Sequence, residues 1–142
     1  MNAAERYAQR IDTVAAQRAR VAGAHTLRQD RWTGALARRF RADPRRALDP
    51  ILAFVAAYLQ PDDVFLDVGG GAGRVALPMA LRCREAIIVD PSAGMRAECE
   101  AEVAESGITN VRYISAPWPP AEHIAGDLVF AYDVTYFVRE IG

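Results

Sequence analysis

Residues 64–73, Val-Phe-Leu-Asp-Val-Gly-Gly-Gly-Ala-Gly, constrain the fold more than any other stretch of this chain. Val64 to Val68 have the apolar, β-branched character of a buried parallel strand. Gly69, Gly70 and Gly71 then allow a sharp turn, with no Cβ between backbone and ligand. From Arg74 the pattern becomes helical, so the glycine loop opens a helix whose first N–H groups point at whatever binds there. Strand, glycine turn and helix in that order predict a nucleotide-type cofactor site.

The spacing narrows the cofactor. A dinucleotide fingerprint G-x-G-x-x-G starting at Gly69 needs glycine at position 74, where Arg74 stands. The glycines instead follow G-x-G-x-G through Gly69, Gly71 and Gly73, with Asp67 two residues before the first. A carboxylate there repels a pyrophosphate and suits a ligand that carries an ammonium group. One strand later, Ala86-Ile87-Ile88-Val89 ends in Asp90. An acid at a strand's carboxyl end about 20 residues after the glycines can accept hydrogen bonds from ribose hydroxyls.

These residues resemble the class I S-adenosylmethionine-dependent methyltransferases, over roughly residues 48–138. The resemblance implies an α/β fold: a Rossmann-like, doubly wound parallel sheet with strand order 3-2-1-4, the family's later strands missing, behind an N-terminal helical extension. It implies S-adenosylmethionine as cofactor. Gly69, Gly70, Gly71 and Gly73 would approach its amino-acid portion, Asp67 its ammonium, and Asp90 its ribose; for Asp90 the alternative is a helix N-cap. Pro91-Ser92-x-x-Met95 resembles the segment whose apolar side chain covers the adenine, although Met95 equally suits plain core. Ser115-Ala116-Pro117-Trp118 stands where the family has an acid on the adenine amino group, so that contact is absent or made by backbone. Trp118 either stacks on the adenine or plugs the core. Residues 127–138 resemble the motif that reaches the transferred methyl, with Ala131 and Tyr132 at its end. Asp133 and Tyr136 are the polar candidates for substrate contact there, against readings as an N-cap and a packed aromatic. Tyr7 and Trp32 are candidates for closing the cofactor mouth.

Around this core the chain alternates strands and helices, which argues for βαβ units. Helices are predicted over about 3–22, 27–41, 74–82 and 92–106, with another starting at the Asp49 cap and Pro50; strands fall at 64–68, 86–90, 111–115 and 127–131. Ile51, Leu52, Phe54, Val55, Tyr58 and Leu59 imply heavy burial of the Pro50 helix. Pro78 inside a helix predicts a kink or a tight first turn. Residues 1–47 are expected to form a helical cap and 48–142 the cofactor-binding domain. The family's sheet has seven strands, so the chain reads as the N-terminal part of a longer domain, cut short at its C-terminus. That leaves an open strand edge at 128–137 through which copies could associate.

The 142 residues suit one domain, and no apolar run approaches the ~20 residues of a membrane span. Cys83 and Cys99 lack metal-ligand spacing and read as core residues of a cytoplasmic protein, with no metal expected. His25 and His123 are isolated and read as surface loop residues. Charge divides unevenly: residues 1–46 hold eleven arginines against four acids, and residues 47–142 six arginines against fourteen acids. A basic arm could meet nucleic acid, in which case Arg38, Arg39 and Arg41 would carry the binding. It fits better as a solvated face that docks on the acidic body. The favoured function is methyl transfer to a small-molecule acceptor. A non-catalytic cofactor-binding domain and an RNA methyltransferase are the alternatives, and a nicotinamide-dependent oxidoreductase is disfavoured by Arg74 and Asp67.

Overall fold

The computed structural model describes residues 1–22, 30–134 and 139. Four parallel strands form one sheet in the order β3-β2-β1-β4: β1 is Val64–Val68, β2 Glu85–Val89, β3 Val111–Ile114 and β4 Leu128–Ala131. Asp67 sits opposite Ile88 on β2 and Phe130 on β4, so β1 runs down the middle with its glycine loop at the carboxyl edge. Every residue of β1 is buried, which is why this strand is apolar on both faces apart from Asp67.

Period-two alternation divides the core. Phe65, Ala86 and Ile88 face three helices: α3 (Pro50–Ala56), α4 (Ala76–Ala80) and α5 (Ala93–Ser106). Val64, Leu66, Val68, Ile87, Val89 and Ile114 face the other way, against Ala116, Trp118, Ile124 and Val134. Trp118 is partly buried against this second face. The remaining helices are α1 (Ala3–Ala22) and α2 (Gly34–Arg38).

Local signals set the ends of α3 and α5. Asp49 accepts from the N–H groups of Ile51 and Leu52, both at 3.0 Å, and Pro50 occupies the first helical position where no donor is needed. Ser92 caps α5 by accepting from Met95 N at 3.1 Å, and Gly107 ends it at φ 70°. Pro78 lies within α4, which is shorter than the expected 74–82. A proline there cannot donate to the carbonyl of Arg74 four residues earlier. The guanidinium of Arg46 donates to that carbonyl instead, at 3.1 Å, so the N-terminal segment repairs the helix start.

Two expectations fail. The predicted helix over 27–41 shrinks to Gly34–Arg38; residues 30–33 are not helical, and 23–29 lie outside the described residues. The reason is tertiary: the Asp30 carboxylate turns back onto Trp32 N and across to α5, which a helical backbone would not allow. The heavy burial expected of the Pro50 helix holds for only one stripe. Leu52, Val55 and Leu59 are buried, whereas Ile51, Phe54 and Tyr58 are 50%, 64% and 63% exposed. Their stripe looks past β1 beside the outer edge of β4, with which no strand pairs among the described residues. A groove of about 380 Å³ opens there, lined by Phe54, Tyr58, Asp63 and Asp127. It lies at the amino ends of the strands, away from the glycine loop.

Asp49→Ala removes a cap that satisfies two backbone donors. It is expected to lower stability by about 1 kcal/mol, read as a shifted urea midpoint with an unchanged m value.

Candidate cofactor site

The glycine loop is held from three directions. Gly69 N donates to Val89 O at 2.7 Å, tying the loop to the end of β2. Gly71 N donates to Asp90 Oδ2 at 3.1 Å. The Tyr113 hydroxyl, on β3, donates to the Gly71 carbonyl at 3.1 Å. Gly69, Gly71 and Gly73 take φ values of 71°, 53° and 78°, a left-handed turn that side chains rarely adopt. Gly70 is a glycine for a different reason: a Cβ there would lie 2.7 Å from the carboxylate carbon of Asp67.

Asp90 has both carboxylate oxygens in use, Oδ1 accepting from Ser92 N at 2.8 Å and Oδ2 from Gly71 N. Each oxygen keeps lone-pair capacity for another donor. Burial raises the Asp90 pKa above the usual carboxylate value, with those two N–H groups opposing and the charge of Asp30 adding to the rise. The N-cap alternative belongs to Ser92, whose hydroxyl accepts from Met95 N.

Asp67 is 3% exposed, and its Oδ2 has no hydrogen-bond partner. Desolvation pushes its pKa up to about 7, opposed by the Ala76 N–H at the start of α4 and assisted by the charge of Asp90. A buried carboxylate oxygen without a donor is costly, and it marks where a donor belongs.

Met95 is buried with its sulfur facing the loop, 3.5 Å from where a Cβ on Gly71 would stand. It packs with Ala72 and Ala37 in a small cluster bordered by Trp32 and Phe40, whose rings meet edge to face at 5.1 Å. Of the two candidates for closing the mouth, Trp32 is thus at the loop, while Tyr7 is half-buried on α1. Pro91 is exposed beside Asp90. Ala116 N is committed to Ile114 O at 3.0 Å, and Pro117 has no N–H, so neither residue has a backbone donor to offer a ligand. Ala131 ends β4 and Tyr132 follows it, both exposed, with Tyr132 stacked on Phe130 at 5.9 Å. Asp133 has φ 54°, the only non-glycine positive φ among the described residues. Tyr136 and His25 lie outside the described residues, and His123 is exposed. No group of potential metal ligands occurs among the described residues.

Sequence reasoning missed Asp30. Its Oδ2 accepts from Ser92 Oγ at 2.8 Å and Gly94 N at 2.9 Å, placing a second carboxylate on the N-terminus of α5. Burial works to raise its pKa, but hydrogen bonds from Gly94, Ser92 and Trp32 prevail and hold it lowered. The Trp32 carbonyl lies so close to Gly94 that a Cβ there would collide with it. Further along, Arg41 is 20% exposed and bonds Glu102 and Glu105 at 2.9 and 2.6 Å, with Glu98 at 3.8 Å. Arg38 also approaches Glu98. The basic arm docks on the acidic face of α5 at these two arginines. The available signal was the row Glu98, Glu102, Glu105 at helical spacing.

A central parallel sheet in the order 3-2-1-4, with a glycine loop and a strand-end acid at its carboxyl edge, defines a Rossmann-like fold of the methyltransferase type. The family model described as "Methyltransferase domain" matches residues 65–140, more than half of the chain, and the chain belongs to this S-adenosylmethionine-dependent methyltransferase family. No curated protein matches it in sequence. Among solved structures it is similar to the YcgJ protein from Bacillus subtilis, with 26% identity, TM-score 0.51, and 56% of this chain and 36% of that one covered. It is also similar to an S-adenosylmethionine-dependent methyltransferase from Thiobacillus denitrificans in complex with S-adenosyl-L-homocysteine, at 15% identity and TM-score 0.55, covering 71% of this chain and 43% of that one. A dimethyladenosine transferase from Plasmodium falciparum gives 21% identity and TM-score 0.53, covering 59% of this chain and 32% of that one. The chain thus spans less than half the length of these structures.

Asp67 binds its proton more tightly in the folded chain than in the unfolded one. Its contribution to stability is therefore full below the ordinary value of 3.8 and is lost as pH rises through about 7. Urea unfolding across that window is expected to show falling stability with rising pH, and Asp67→Asn to flatten the slope. Gly94→Ala is expected to push Trp32 off α5; a tryptophan emission spectrum identical to that of the unmodified chain would contradict the contact.

Proposed function

We propose that this chain binds S-adenosylmethionine at the glycine loop and that the protein transfers its methyl group to a small-molecule acceptor. The observation that carries the reading is the pair of carboxylates beside the glycine loop: Asp90 after β2, held by Gly71 N and Ser92 N with acceptor capacity to spare, and Asp67 in β1, with a buried oxygen lacking a donor. Ribose hydroxyls suit the first and an ammonium group the second, so the residues present fit this cofactor.

The cofactor supplies an electrophilic methyl group; the chain's residues bind, orient and exclude water. Gly69, Gly70, Gly71 and Gly73 let the backbone approach its amino-acid portion, with Asp67 compensating the positive charge through the loop. Met95 supplies an apolar wall for the adenine, with Pro91 beside the ribose. Ala116, Pro117 and Trp118 border the adenine edge, where a backbone carbonyl replaces the missing acid as acceptor of the amino group. Ala131 and Tyr132 stand at the methyl end. Asp133, in its left-handed conformation, and Tyr136 are proposed to face the acceptor. Residues 1–47 serve as the cap on the domain formed by 48–142. Burial of both thiols, Cys83 and Cys99, accords with a cytoplasmic setting, and no described helix is long and apolar enough to cross a membrane.

A small-molecule acceptor is favoured over RNA because Arg41, one of the three arginines an RNA would use, is engaged with Glu102 and Glu105 of α5. A non-catalytic binding domain is the second reading, supported by the loss of the adenine-binding acid at Ala116; binding without turnover in the full-length protein would establish it.

At a hundred times its dissociation constant, S-adenosylhomocysteine should add about 2.7 kcal/mol of stability, a rise of roughly 6–11 °C in melting temperature for a chain of this size. Asp90→Ala should abolish the shift. Binding near pH 7 should also release a proton from Asp67, detected by calorimetry in buffers of different ionisation enthalpy. A folded protein that shows no shift would overturn the assignment.

A further inference from the structure

The Tyr113 hydroxyl crosses from the outermost strand to the glycine loop. On this pocket reading, we propose that Tyr113 is a positioning residue for the cofactor. Its hydroxyl fixes the Gly71 carbonyl, and through the Gly71 N–H it fixes the Asp90 carboxylate in the orientation that receives the ribose.

Gly71 is gripped at both ends of its backbone by side chains, by Asp90 at the N–H and by Tyr113 at the C=O, whereas Gly73 is held at both ends by backbone groups, Gly70 O and Leu77 N. Gly71 needs the second grip. Flanked by Gly70 and two further left-handed glycines, its peptide planes meet little steric resistance to rotation. The carbonyl belongs to the Gly71–Ala72 peptide and the N–H to the Gly70–Gly71 peptide, two planes that share only the Gly71 Cα. Holding the carbonyl pins one plane and narrows the φ,ψ range in which the other can keep its N–H on Asp90. Tyr113 is suited to the task because β3 is separated from β1 by β2, so only a long side chain on this face reaches the loop. Its ring packs against the helix-side core, and the guanidinium of Arg96 lies over it at 5.8 Å while also donating to Ser115 Oγ at 3.0 Å. Ring packing alone needs no oxygen; only the hydroxyl touches the loop. Burial first, and the charge of Asp90 next, push the phenol well above its ordinary value, so the group remains a donor across the neutral range.

The test is calorimetric titration of the full chain and of Tyr113→Phe with S-adenosylhomocysteine, well below the melting temperature, beside backbone amide exchange of both without ligand. Phenylalanine keeps the ring and removes only the oxygen. The expected result is about a three- to tenfold rise in the dissociation constant, the range of one net hydrogen bond. The Gly71 amide should also exchange faster while that of Leu66 in β1 keeps its protection. An unchanged dissociation constant, or a Gly71 amide as protected as before, would overturn the proposal. So would faster exchange at Gly71 and Leu66 together, because that reports global loosening. If the unmodified chain does not bind S-adenosylhomocysteine, the pocket reading falls and this proposal with it. If it binds and Tyr113→Phe binds equally well, only the proposal falls.

Discussion

The hydrogen bond from Gly71 N to Asp90 Oδ2 is the link on which the site depends. It joins the loop after β1 to the acid after β2. Asp90 also accepts from Ser92 N, so the same side chain fixes where α5 begins. Ser92 in turn caps α5 and donates to Asp30, which brings the N-terminal segment onto the same point. Loop, strand end, helix start and N-terminal arm thus converge on two carboxylates and one hydroxyl. A charged acceptor in a partly desolvated place binds such donors more strongly than a neutral one would. That explains how a loop of glycines, the residues with the most conformational freedom to lose, stays in one shape.

The sheet core and the site make opposite demands on Asp67. β1 must be apolar to lie buried between layers, yet its fourth position is an acid, which the proposed site would use. The conflict is met by placing the carboxylate under Gly70, where no side chain competes for the space, and beside the first turn of α4. One oxygen remains without a donor, and on the proposed reading that uncompensated atom is where a positively charged ligand group would be balanced.

Legibility from sequence followed distance along the chain. The Asp49 cap, the four strands and the glycine loop are set by neighbours within a few residues, and each was readable; for α5 the sequence offered Asp90 as the cap, and Ser92 holds it. Asp90 was readable because its spacing from the loop is a property of one strand–helix–strand unit. Asp30 was not: its partners Ser92 and Gly94 are more than 60 positions away. Arg41 was read only as one charge in a basic stretch, since nothing local distinguishes it from Arg39. The apolar count of α3 overstated its burial because a sequence shows that a helix has two apolar stripes, not that only one meets the sheet. Nothing local marks Tyr113, whose contact with Gly71 depends on where a strand two places away turns.

Gly94 shows how such distant contacts limit divergence. A methyl group there meets the Trp32 carbonyl, so the smallest change at one position requires a backbone displacement in another segment of the chain. Arg41 shares its charge among Glu98, Glu102 and Glu105, so replacing one of these glutamates gives a graded loss. Position 94 offers no gradation: either the arm lies where it does and the residue is glycine, or the arm moves. Chains descended from this one should therefore change residues 30–32 and 94 as a unit, so the pair forms a record of whether the arm still rests on α5.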